Sequence, residues 1–127
     1  MDKILAEISA GELIDKITIL EIKKEKINDK EKLIEIDKEM TSLKETLKKS
    51  ISDESKILSF KKDLKNINLK LWDIEDGKRS AEKNNQFDEK FIQLARNVYK
   101  FNDERARIKL AINNTLGSNI KEVKSYE

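Results

Sequence analysis

Arg105 stands where an apolar residue belongs. Phe91, Leu94, Val98, Phe101, Arg105, Ile108, Ile112 and Leu116 step by threes and fours, the spacing of a helix seam that faces its neighbours. A guanidinium in such a seam cannot shed its charge, so it needs a carboxylate partner and further hydrogen bonds. Glu21 is the first candidate partner and Glu75 the second. Other polar residues gather at helix-compatible spacing: Trp72, Glu75 and Arg79 share one side of a second helix, and Tyr99 and Asn102 flank the Arg105 seam. All four arginines (Arg79, Arg96, Arg105 and Arg107) follow residue 78 in a chain that otherwise uses lysine. A planar fork suits bidentate contact with carboxylate or phosphate where a lysine would not. The cluster reads first as a buried polar network that sets helix register, and second as a ligand site.

Other chemistry is narrowed by what is missing. The chain has no cysteine and no histidine, which removes disulfides, thiolates, zinc knuckles and the commonest general base. Glu12 with Asp15, and Asp73 with Asp76, are carboxylate pairs that could share a cation from one helix face. Among 25 acidic residues such pairs arise by chance, so no metal and no cofactor is expected. No nucleophile–base set occurs, no catalytic residue is assigned, and the reading leans away from an enzyme. Lys16 beside Asp15 is noted with the pair. The 27 basic and 25 acidic residues are interspersed, giving +2 overall. A nucleic-acid binder would segregate its charge, so no nucleic-acid partner is expected. No apolar run approaches the roughly 18 residues of a membrane span, and MDKILAEISA does not read as a secretory leader. A soluble, cytoplasmic protein is the expectation.

These side chains must be carried by helices. With 41% charged and 37% hydrophobic residues and no proline, the composition is that of long surface helices. Ser9 and Glu12 fit a capping box. Leu13, Ile17, Leu20, Ile27 and Ile34 form one stripe, and Ile19, Ile22, Leu33, Ile36, Met40, Leu43 and Leu47 a second. Their shared phase predicts one helix over about 10–49, with a kink near Asn28-Asp29 as the alternative. Ser52 reads as the next cap, opening a helix over about 53–83 on the seam Ile57, Phe60, Leu64, Ile67, Leu71, Ile74. Asp88 caps a third over about 88–116, and Gly117 stands where a left-handed C-cap belongs. The fold class is all-α: three long antiparallel helices in a coiled-coil-like bundle, a single domain over 1–127, with 117–127 a C-terminal tail packed on it. Near residues 13–24 the first helix is apolar on two opposed sides, and both must be covered. A homodimer through the first helix is predicted, with coverage by the tail as the alternative. A protein partner also fits such a helical module.

Three segments carry a family resemblance: GELIDKITILEIKKEKI at 11–27, LWDIEDGKR at 71–79 and FIQLARNVYKFNDERARIK at 91–109, with LGSNIKEVKSY closing the chain. Together they resemble a family of small all-helical bacterial proteins catalogued only as a domain of unknown function. The resemblance picks out Glu12, Asp15, Lys16, Glu21, Trp72, Glu75, Asp76, Arg79, Arg96, Tyr99, Asn102 and Arg105 as site residues, and implies no activity. LIDKITILEIKKEKI is superficially similar to the opening helix of helical chorismate mutases. Those need an arginine on that helix, and the first arginine here is Arg79. Helical Mg²⁺-dependent nucleotide pyrophosphohydrolases use two acidic pairs on neighbouring helices, which Glu12 with Asp15 and Asp73 with Asp76 could supply. The doubled glutamates of that family are missing. A non-enzymatic interaction module is the main reading, and a small-anion or nucleotide site the alternative.

Overall fold

Ile27, Asn28 and Asp29 end the first helix outright. Ile27 is extended at φ −95°, ψ 132°. Asp29 then caps a new helix, its Oδ1 accepting from the backbone N–H of Glu31 at 3.0 Å and of Lys32 at 3.2 Å. The heptad register that would carry one helix through this point passes over Lys26 and Asp29, which bury nothing in return. A capped break therefore costs little. The structure, a computed structural model, describes residues 1–125. It contains four α-helices: α1 (Ala10–Lys26), α2 (Lys30–Ser50), α3 (Leu58–Lys83) and α4 (Glu89–Leu116), with a 3₁₀ turn at Glu54–Ile57 before α3. The three-helix expectation is corrected to four. Asp29→Ala should cost about 1 kcal/mol in chemical denaturation, the usual worth of a helix cap. An unchanged midpoint would show that the break needs no cap.

The break lets α2 fold back along α1. Lys24 reaches Asp37 at 3.1 Å, and Ile51, just past the end of α2, returns beside Leu13. Ile36, Met40 and Leu47 of α2 join Leu13, Ile14, Ile17 and Leu20 of α1 in the main core, together with Ile57, Leu64 and Ile112. So α1 lies at the centre, with α2 on one side and α3 and α4 on the other. This is what covers its two apolar sides. Leu13, Ile14, Ile17, Leu20 and Ile22 are buried within the one chain, while Ile19 stays half-buried. Ile34, assigned to the first stripe, is 58% exposed because α2 turns that face outward.

The later elements follow their caps. Asp53, not Ser52, caps the turn before α3, accepting from Ser55 N–H at 3.0 Å. Asp88 accepts from Phe91 N–H, and Gly117 takes the left-handed conformation at φ 66°. Ser9 caps α1 through Glu12 N–H at 3.0 Å. The Glu12 carboxylate does not complete the reciprocal half of the box. It pairs instead with Lys109 of α4.

Residues 118–124 run back along the molecule without helix or strand. Ala10 N–H donates to the Ser118 hydroxyl at 3.0 Å, Ser9 donates to Glu122 at 2.7 Å, and Lys124 pairs with Asp103 at 2.9 Å. Tyr126 and Glu127, included in the predicted tail, lie outside the described residues. No described helix is long and apolar enough to cross a membrane.

Candidate functional site

Gly11 sets the geometry from which the site grows. A Cβ at this position would lie 2.4 Å from the Lys109 carbonyl oxygen of α4, so only glycine permits so close an approach. Its N–H donates to Asn113 Oδ1 at 2.6 Å, in the buried interior. With the antiparallel register set there, one turn along α1 and one turn back along α4 bring Asp15 against Arg105. Asp15 is fully buried. Arg105 Nε lies 3.1 Å from both Asp15 carboxylate oxygens, and Nη2 donates to Oδ2.

The partner is therefore Asp15, and neither Glu21 nor Glu75. Glu21 is six residues beyond Asp15, which rotates it about 240° around the helix, to a different face. One of its carboxylate oxygens is buried without a hydrogen bond, and its charge acts on Lys65, which bonds Glu25 at 2.9 Å. Glu75 is exposed and pairs with Lys78 at 3.4 Å. Asp15 is held from behind by Asn68 of α3, whose amide donates to Oδ1 at 2.8 Å and to the Thr18 hydroxyl at 3.0 Å. Lys109 adds a second cation 3.5 Å from Oδ2. Burial works to raise the Asp15 pKa, but the hydrogen bonds of Arg105 and Asn68 and the charges of Arg105 and Lys109 outweigh it. The carboxyl is held below its ordinary value. The Asp15 hydrogen bond in turn raises Arg105.

Two edges of the guanidinium have different duties. Nε and Nη2 are committed to Asp15, while no described residue accepts from Nη1. Arg105 also lines a groove of about 520 Å³ between α1, α3 and α4. Its floor is Ile19, Ile22, Leu71, Trp72 and Val98, and its rim carries Glu75, Asp76, Arg79, Asn102 and Arg105. That size and that mix of apolar floor and few polar groups are those of a small-ligand site. The side chains of Asp76, Arg79 and Asn102 make no hydrogen bond or ion pair with any other described residue.

Of the residues singled out from sequence, Trp72, Glu75, Asp76, Arg79, Asn102 and Arg105 converge on this groove, with Asp15 behind it and Glu12 one turn away on Lys109. Lys16 sits 3.9 Å from Glu12 on the surface, and Arg96 and Tyr99 face solvent on α4. Sequence reasoning missed Asn68, Thr18, Lys109, Asn113 and Glu122. Asn68 and Asn113 each lie one position beyond a seam residue, Ile67 and Ile112, and both are buried. A polar amide beside a seam was the available signal.

The residues 11–27, 71–79 and 91–109 that carry the resemblance supply every residue lining the groove except Asn68. The chain matches a family of unknown function, DUF6165, over residues 4–127. It belongs to that family. No curated protein and no solved structure matches it.

The paired carboxylates do not form a metal centre. Asp15 spends its oxygens on Arg105 and Asn68, and Glu12 spends one on Lys109. Asp73 and Asp76 stay exposed on α3, and no group of three or more candidate acidic ligands occurs among the described residues. The two-pair arrangement of the pyrophosphohydrolases is not assembled.

Proposed function

We propose that the protein is a non-enzymatic recognition module whose working surface is the groove between α1, α3 and α4. It would take an elongated ligand with an apolar body and an acidic end. One observation carries the reading: a buried Asp15 locks Arg105 through Nε and Nη2, and the same arginine, with no described acceptor on Nη1, lines an apolar-floored groove. An arginine already oriented by its own carboxylate loses little freedom on meeting a ligand carboxylate or phosphate. Arg79 supplies a second cation further along α3. Glu75 and Asp76 disfavour a densely charged polyanion and suit a ligand with a single acid at either end. We place this work in a bacterial cytoplasm, in keeping with a cysteine-free composition.

Trp72 is the chain's one tryptophan, so its emission reports the groove directly. Titration with aliphatic and aromatic carboxylates and with nucleoside monophosphates should shift that emission saturably for at least one class. Arg79→Met removes a cation with no structural partner and should weaken binding by about tenfold or more, the worth of a hydrogen bond to a charged group. Its melting temperature should stay unchanged. A Trp72 signal that stays flat across all three classes would remove the reading.

A further inference from the structure

Residues 1–8 precede α1 without helix or strand, yet they carry large apolar side chains in water: Ile4 is 82% exposed and Leu5 87%. Near its root the arm is tied down by the Ser9–Glu122 hydrogen bond at 2.7 Å and, on the surface, by Glu7 accepting from Asn119 at 2.7 Å. We infer that this arm is the groove's natural occupant, supplied by a second copy of the chain, so that each protomer's groove is completed by its partner's arm. The inference rests on the groove being a recognition site and names what enters it.

Length and charge both match. Asp2 and Glu7 are five residues apart, about 17 Å in an extended chain. Arg105 stands at the level of Asn68, since both bond Asp15. Arg79 lies eleven residues further along α3, about 16 Å by helix rise. An extended segment points residues 2 and 7 to opposite sides, and the two arginines stand on opposite walls, Arg79 on α3 and Arg105 on α4. Between the acids, Ile4 shares the side of Asp2, toward Leu71 and Trp72 of α3, and Leu5 the side of Glu7, toward Val98 of α4. Symmetry agrees as well. In each chain the arm's root at Ser9 is six residues of α1 from Asp15, about 9 Å. A two-fold axis near this point would set each root beside the partner's Arg105 and send each tip toward the partner's Arg79. Glu7 would exchange its surface bond to Asn119 for the partner's guanidinium.

Sedimentation velocity over a micromolar concentration series tests this with the full chain. Wild type should dimerise, and the Ile4→Glu, Leu5→Glu double variant should be at least tenfold weaker. The arm is exposed, so this variant has no reason to lose its fold, and an unchanged melting temperature checks that. Asp2→Arg and Arg79→Asp should each weaken the dimer, and the two together should restore much of it. A monomeric wild type overturns the inference, as does a dimer indifferent to the arm. Equally fatal would be an arm-dependent pelleting of the protein with phosphatidylcholine–phosphatidylglycerol vesicles beside a dimer that the arm variant leaves intact. The groove reading is judged separately, by Trp72 titration of the arm variant with free carboxylates. Binding there with no arm-dependent dimer would refute the arm and keep the groove.

Discussion

Replacing Arg105 with methionine is expected to cost about 3 kcal/mol of folding stability at neutral pH, the lower end for a broken buried pair. The loss is asymmetric because the two partners are buried to different extents. Asp15 has a side chain only 1% exposed, whereas that of Arg105 is 28% exposed. Without Arg105 the carboxylate keeps Asn68 and a lysine 3.5 Å away, but cannot reach water. Without the carboxylate, as in Asp15→Asn, the guanidinium can turn toward solvent, and about 1–2 kcal/mol is expected. Acid should weaken the effect of Arg105→Met. The wild-type Asp15 pKa is depressed, so its stabilisation is full above the unfolded value of about 3.9 and is lost as pH falls through the folded value. With Arg105 gone, burial is opposed only by Asn68 and Lys109, and the folded pKa is expected to rise above the unfolded one. Protonation then relieves the variant, and its deficit against wild type should shrink from neutral pH toward about pH 4. Urea denaturation of both chains across this range is the measurement. A deficit constant with pH would mean that Asp15 does not carry the charge assigned to it.

Gly11→Ala should cost about 2–3 kcal/mol by overpacking, although alanine in place of glycine ordinarily favours a helix by up to about 1 kcal/mol. The sign turns on what the methyl group meets. At Gly11 it meets the Lys109 backbone carbonyl, 2.4 Å away, and the Asn113 side-chain oxygen at 3.0 Å. A carbonyl cannot move without shifting α4, and with it the Asp15–Arg105 register. Gly77→Ala is the internal control. Its methyl would touch the end of the flexible Leu94 side chain at 3.1 Å, so near-neutral stability is expected. If both alanines behave alike in denaturation, the close α1–α4 contact is not what holds the register.

Much of the fold could be read from the residue pattern. All-helical class, both later helices with the Asp88 cap and the Gly117 terminus, and the apolar seams of α2, α3 and α4 follow from three-and-four spacing and cap chemistry. These are local properties, decided within a few turns of chain. That Arg105 borders the core and pairs with a carboxylate was also legible, because a guanidinium in an apolar seam leaves few alternatives. Glu75, Asp76, Arg79, Asn102 and Arg105 were each singled out by residue type and spacing, but not that they border one groove.

Three matters lay beyond local pattern. Continuity through Ile27–Asp29 looked sound because α1 and α2 share a heptad phase, but phase persists across a break as readily as through a helix. Whether α2 runs on or folds back depends on what covers the second side of α1, a competition between surfaces far apart in sequence. The partner of Arg105 depended on helix offset. Glu21 and Asp15 lie on the same helix but on different faces, and which face meets α4 is decided by tertiary packing such as the contact at Gly11, where the absence of a side chain lets the Lys109 carbonyl approach. Groove formation is the third. Trp72, Arg79 and Arg105 come together only because α3 and α4 leave a gap above α1, and no single helix face records the distance between two others.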